Sequence, residues 1–182
     1  MNLIMILFLI LIIIIFWFVN TYNKFIKLRE MVKNSMGQIS AQVESRWDAI
    51  SSIIDATKQY SSHEADVLKD ITNKRSGISN TSDVEDVEKD TQLFEEALKR
   101  VSIVVENYPD LKASGVFENA MNKIDDYEKS VRSSRMIYND TVTKYNRSVL
   151  VFPASIVAKM FNFKEMDYFK STETKADMPS WN

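Results

Sequence analysis

LIMILFLILIIIIFWFV, from Leu3 to Val19, is an unbroken run of 17 apolar residues, and its reading decides how the rest of the chain is organised. As a helix it spans about 25 Å, at the short end of what a bilayer core requires. Trp17 stands near its end, and Asn20, Thr21 and Tyr22 follow where polar and aromatic side chains meet headgroups. A cleaved signal peptide needs a basic flank before such a run and a small-residue cleavage site after it. Neither is present, so the run is read as a retained anchor. It has no Gly-x-x-x-Gly pattern and no charge, so neither tight helix pairing nor conduction is indicated. After it come Lys24, Lys27, Arg29 and Lys33 against Glu30 alone. The positive-inside tendency then places this side in the cytoplasm and the short N-terminus outside.

Outward from the anchor the chain changes character. All 23 basic and 25 acidic residues lie after position 23, and the net charge is −2. That balance excludes the basic stripe of a nucleic-acid binder. The absence of cysteine excludes disulfides, thiol chemistry and zinc ribbons. A single histidine, His63, excludes a histidine metal cluster within one chain. Three glycines and three prolines are too few for a β-sandwich or a phosphate-cradling loop, and they point to long helices.

The helical period is explicit. Phe25, Leu28, Val32, Ile39, Val43, Trp47, Ile50, Ile54 and Thr57 step by threes, fours and one seven. On pattern alone this helix runs to about Arg75, a rod of about 80 Å. A compact domain is better served by a turn near Arg46–Ser52, and such a turn is expected here. Ser76 to Asp83 is the clearest loop, with Ser82 or Asp83 able to cap the next helix. Val87, Phe94, Leu98, Val101 and Val105 line the face of that helix as far as Tyr108-Pro109. Val116 to Leu150 is a further long helix, ended by Pro153. Residues 154–163 form a short apolar helix that sits near the bilayer surface or plugs the bundle end.

The expected fold is therefore all-α: an N-terminal transmembrane helix, then an up-and-down four-helix bundle of long helices, then a short C-terminal helix. The corresponding segments are an anchor at 1–21, the bundle at 22–152, the short apolar helix at 153–169 and a disordered tail at 170–182. Up-and-down connectivity returns Leu150 to the neighbourhood of Tyr22.

Tyr-Asn occurs as Tyr22-Asn23, Tyr138-Asn139 and Tyr145-Asn146, the last two sharing one helix face. With Arg46, His63-Glu64, Tyr108-Pro109-Asp110-Leu111-Lys112-Ala113, Glu128, Arg135, Phe152-Pro153 and Tyr168-Phe169, this order resembles the LemA family of bacterial membrane-anchored proteins. The resemblance runs from about Tyr22 to Phe169. It implies an anchor helix in the bacterial inner membrane, a four-helix bundle and no established enzymatic activity. It also brings a link to proteins that organise bacterial membranes. One departure stands out: the family usually has a proline in the segment matching Asp48–Ile54, and this chain has none there.

The candidate site residues have bland readings beside their sharp ones. Tyr22, Asn23, Arg135, Tyr138, Asn139, Tyr145 and Asn146 are either buried polar staples that fix helix register or a ligand site at the membrane end. The staple reading is preferred. Tyr108, Pro109, Asp110 and Leu111 are a family motif that turns the chain. His63 is a structural hydrogen-bonding residue or a pH sensor. Glu128 pairs with Arg132 or, across the bundle, with Arg135. The leading function is a non-enzymatic scaffold without cofactor that contacts the lipid bilayer and forms a homo-oligomer, its protein partners unknown. The alternative is a sensor of a small molecule or envelope signal through the Tyr/Asn site.

Overall fold

The computed structural model describes residues 3–61, 66, 68–69, 72, 75 and 77–170. His63, Glu64 and residues 171–182 lie outside these, and with them the expectations for the histidine and for almost all of the tail. Among the described residues the chain is helical and has no strand.

Helix α1 runs from Leu3 to Thr57 without a break. Its first part is a candidate membrane span whose most apolar stretch is left exposed by the other described residues. The expected turn near Arg46–Ser52 does not form. Arg46, Trp47, Ala49 and Ile50 are instead buried along the helix. No proline removes a backbone donor there, and the local hydroxyls return to the helix itself. Ser45 donates to the Ala41 carbonyl, Ser51 to Trp47, Ser52 to Ala49 and Thr57 to Ile53. The helix ends only at Thr57, whose carbonyl accepts from the Tyr60 and Ser61 amides.

The chain then returns toward the candidate span. Asp66, Leu68, Lys69 and Thr72 are helical, and Leu68 is buried. The loop at 77–83 lies across α1 near Gly37 and Ser40, where Ser40 Oγ donates to the Ile78 carbonyl at 2.6 Å. Asp83 caps α2 (Val84–Glu106) reciprocally: its carboxylate accepts from the Asp86 amide, and Asp86 accepts from the Asp83 amide.

Helix α2 runs beside α1 and away from the candidate span, bringing Tyr108 near Tyr60. One turn, α3 (Pro109–Lys112), buries Leu111 and leads to Ser114, which caps α4 (Gly115–Leu150) through the Phe117 amide. With 36 residues, α4 is as long as the part of α1 from Tyr22 to Thr57, and the two pack along their length. A turn in α1 at Arg46–Ser52 would have left the distal half of α4 without that partner. Helix α4 ends beside Lys24 and Leu28, so the up-and-down order returns it to the end of the candidate span. The apolar helix is shorter than expected, α5 (Ala154–Met160), and residues 163–170 follow as non-helical chain running back along α4.

Candidate functional site: a charged crossing and an amide ladder

The apolar faces of α1, α2 and α4 carry charged residues in phase with their seams. Arg46 lies seven residues after Ile39 and seven before Ile53; Asp90 falls between Val87 and Phe94; Arg135 falls between Val131 and Tyr138. In the structure these positions converge. Arg46 and Asp90 are both fully buried. Arg46 Nη2 donates to Asp90 Oδ2 at 3.0 Å, and Nη1 donates to Glu128 Oε1 at 2.6 Å. Trp47 Nε1 donates to the same Asp90 carboxylate at 3.1 Å. The Arg46 guanidinium lies 4.3 Å from the Phe94 ring centroid. Thr91 Oγ1 accepts from Arg135 Nη2 at 2.7 Å and donates to the Val87 carbonyl.

Two guanidinium groups thus face two carboxylates across three helices, and the crossing is close to neutral. Burial lowers the Arg135 pKa from its usual value, and the nearby Arg46 charge lowers it further against the pull of Glu128. The expected pairing of Glu128 with Arg132 or Arg135 gives way to Arg46, whose extended guanidinium crosses from α1 to α4. Periodicity written in apolar residues alone missed Arg46 and Asp90. The signal was there: charged residues of both signs standing at core positions.

The second site lies toward the candidate span. Asn139 Nδ2 donates to the Phe169 carbonyl, and its Oδ1 accepts from the Phe169 amide, both at 2.9 Å. Asn146 makes the same pair with Met166, at 2.8 and 2.9 Å. Each side-chain amide therefore acts as a peptide group toward the returning strap. The spacing agrees: seven helical residues advance about 10.5 Å, and three extended residues advance about 10 Å. These asparagines fix the strap rather than the register of a neighbouring helix, and both amides are already occupied.

Tyr138 and Tyr145 are buried, and burial raises the pKa of both phenols. Tyr138 meets Phe169 edge-on at 5.0 Å between centroids, and Arg135 lies 5.1 Å from the same ring. A cavity of about 370 Å³ lies beside Tyr138, lined by Val32, Met36, Val84 and Met166 among others. The first Tyr-Asn pair does not join the other two. Tyr22 packs on Phe161 at 4.6 Å, and Asn23 is exposed. Tyr108 is half-buried, Pro109 and Asp110 are exposed, and Leu111 is buried at the far end of the bundle. Among the described residues no group of histidine or carboxylate side chains is placed to hold a metal ion.

This arrangement can be set beside known proteins. The LemA family pattern matches residues 35–181. Protein LemA of Metamycoplasma hominis is 27% identical over 175 residues, covering 92% of this chain and 78% of that protein. Magnetosome protein MamQ of Magnetospirillum gryphiswaldense is 29% identical over 76 residues, 42% of this chain but only 28% of MamQ. Magnetosome protein MamQ 2 of Paramagnetospirillum magneticum is likewise 29% identical, over 77 residues. The family match takes in Asp90, Glu128, Asn139 and Asn146 together with Arg46, and it spans most of the helical bundle. The chain belongs to the LemA family.

Proposed function

We propose that this protein is a non-enzymatic scaffold of the bacterial inner membrane, self-associating, with its bundle on the cytoplasmic face. The observation that carries the reading is the continuity of α1. One helix leaves the candidate span and becomes the spine on which α4 packs, with no hinge between anchor and bundle. A rigid mast of this kind transmits position and orientation from the bilayer to whatever the bundle touches. The polar groups inside the bundle support the same reading, because Arg46, Asp90, Asn139 and Asn146 are engaged in holding the protein's own chain. The basic residues after the span support the cytoplasmic side. The partial similarity to magnetosome proteins agrees with a role in membrane organisation.

The test is the mass of the full-length protein extracted into lipid nanodiscs, together with protease access to a C-terminal tag in intact cells. A homo-oligomer with the tag protected until the membrane is opened is the expected result. A single chain per particle at every loading overturns self-association, and cleavage of the tag in intact cells overturns the orientation.

A further inference from the structure

Helix α4 ends at the level where α1 leaves the apolar run, and the chain there does not become polar. Leu150, Val151 and Phe152 are 61%, 53% and 76% exposed. Helix α5 turns Val157 and Ala158 inward, while Ile156 and Met160 stand outward, 50% and 65% exposed. Phe161 follows, still exposed on one side, with its ring 5.8 Å from Phe18 and 4.6 Å from Tyr22. From Leu150 to Phe161 there is no acidic residue, and Lys159 is the one charge. Contiguous exposed apolar surface of this extent marks an interaction surface.

We propose that residues 150–161 form a second, shallow bilayer contact, a seat by which the membrane end of the bundle rests in the lipid interface. The proposal relies on Leu3–Val19 being a membrane span and adds a contact that the span does not require. Continuity with the span identifies the occupant. Phe18 lies inside the apolar run, so a side chain packed on it stands where acyl chains begin. A segment of this kind enters the headgroup boundary by about 5–10 Å, within reach of the outward residues of a helix beside Phe18 and Tyr22. Charge fits the same occupant. Lys24, Lys144 and Arg147 line one groove at the end of α4 against a single carboxylate, Asp140, and Lys27 and Lys159 are exposed. Cations at that depth face lipid phosphates.

The absence of cysteine makes the test direct. Phe152→Cys, Met160→Cys, Phe16→Cys and Glu106→Cys are each made in the full-length chain. Each is labelled with a fluorophore and placed in phosphatidylcholine–phosphatidylglycerol vesicles that carry a nitroxide near the headgroup end of the acyl chain. Circular dichroism checks that each variant keeps its helices. The seat predicts emission lowered about twofold or more at 152 and 160, as at 16 in the span, and unchanged at the distal position 106. Quenching at 16 without quenching at 152 and 160 overturns the seat and leaves the span standing. If position 152 cross-links to a second copy and is shielded from nitroxide, the patch is a protein interface and the seat is wrong. If position 16 is not quenched, the span reading fails and the seat falls with it.

Discussion

At the level of Arg46 three helices are joined to one another by charge, whereas at the level of Asn139 and Asn146 one helix is joined by neutral amides to a non-helical strap. The first device reaches across long sequence separations and selects which helices meet and in what register. It is costly, because two fully buried ions lose their water, and it tolerates no missing partner. The second is local and modest. An asparagine needs only a peptide group to face it, and it presents no net charge to the end of the bundle nearest the bilayer. The interior of this protein is therefore graded: ionic in the middle of the bundle and amide-based toward the candidate span, with an exposed apolar surface around α5. Phe169 touches both devices, since its backbone is held by Asn139 and its ring lies against Arg135.

The largest effect should come from breaking the charged device. Arg46→Leu leaves Asp90 and Glu128 without their shared cation and should cost about 3–5 kcal/mol in unfolding free energy of the full-length protein. Arg46→Lys keeps the charge but lacks the fork that reaches Asp90 and Glu128 together, so it should recover only part of the loss. Denaturant midpoints of the two variants in mild detergent measure this. Equal midpoints for wild type and Arg46→Leu would mean that the crossing does not hold the helices.

The amide ladder should fail differently. Asn139→Ala with Asn146→Ala removes four hydrogen bonds, each worth about 0.5–1.5 kcal/mol. The loss should fall on the strap: hydrogen exchange at 163–169 accelerates, while the core amides of α1 and α4 keep their protection. A global loss as large as that of Arg46→Leu would erase the distinction between the two regions.

That distinction also separates what the sequence revealed from what it hid. The candidate span, the long helices, the Asp83 cap and the return of Leu150 toward Tyr22 follow from apolar period and turn chemistry, which are local. The continuity of α1 past Arg46–Ser52 was ambiguous because no glycine or proline in that segment decided it; the unbroken helix packs along α4, which is as long as the part of α1 from Tyr22 to Thr57. Arg46 entered through the family resemblance alone, and its burial with Asp90 was hidden by a search for apolar residues at core positions, although both stand in phase with the seam. The Tyr-Asn faces were visible as a pattern. Their partner was not, because an extended segment with few periodic apolar residues carries no signal of where it docks.

The two buried tyrosines add a dependence on pH. Burial raises the pKa of Tyr138 and Tyr145, so the folded chain holds their protons more tightly than the unfolded chain does. Their contribution to stability is complete below the unfolded value of about 10 and is lost as pH rises through the folded values. Unfolding of the wild type should therefore become easier as pH rises above about 10, and Tyr138→Phe with Tyr145→Phe should flatten that slope. An unchanged slope in the double variant would assign the alkaline loss to other groups.

The smallest effect is expected at the end of the bundle far from the membrane, where neither charge nor amide does the holding. Pro109 is exposed at the first position of α3, where a backbone N–H has no helical partner and a fixed φ is already suitable. Replacing it with alanine removes no packing and mainly frees the unfolded chain, so Pro109→Ala should cost no more than about 1 kcal/mol. Leu111, two residues on and fully buried, is what ties this turn to the core. The amides that close the turn, Lys112 to the Tyr108 carbonyl and Ala113 to that of Pro109, survive the substitution, because both acceptors are backbone oxygens that alanine also supplies. A denaturant midpoint close to that of the wild type is the expected result. A loss comparable to that of Arg46→Leu would mean that the turn at 108–111 sets the pairing of α2 with α4, and that the distal end, rather than the charged crossing, fixes the register of the bundle.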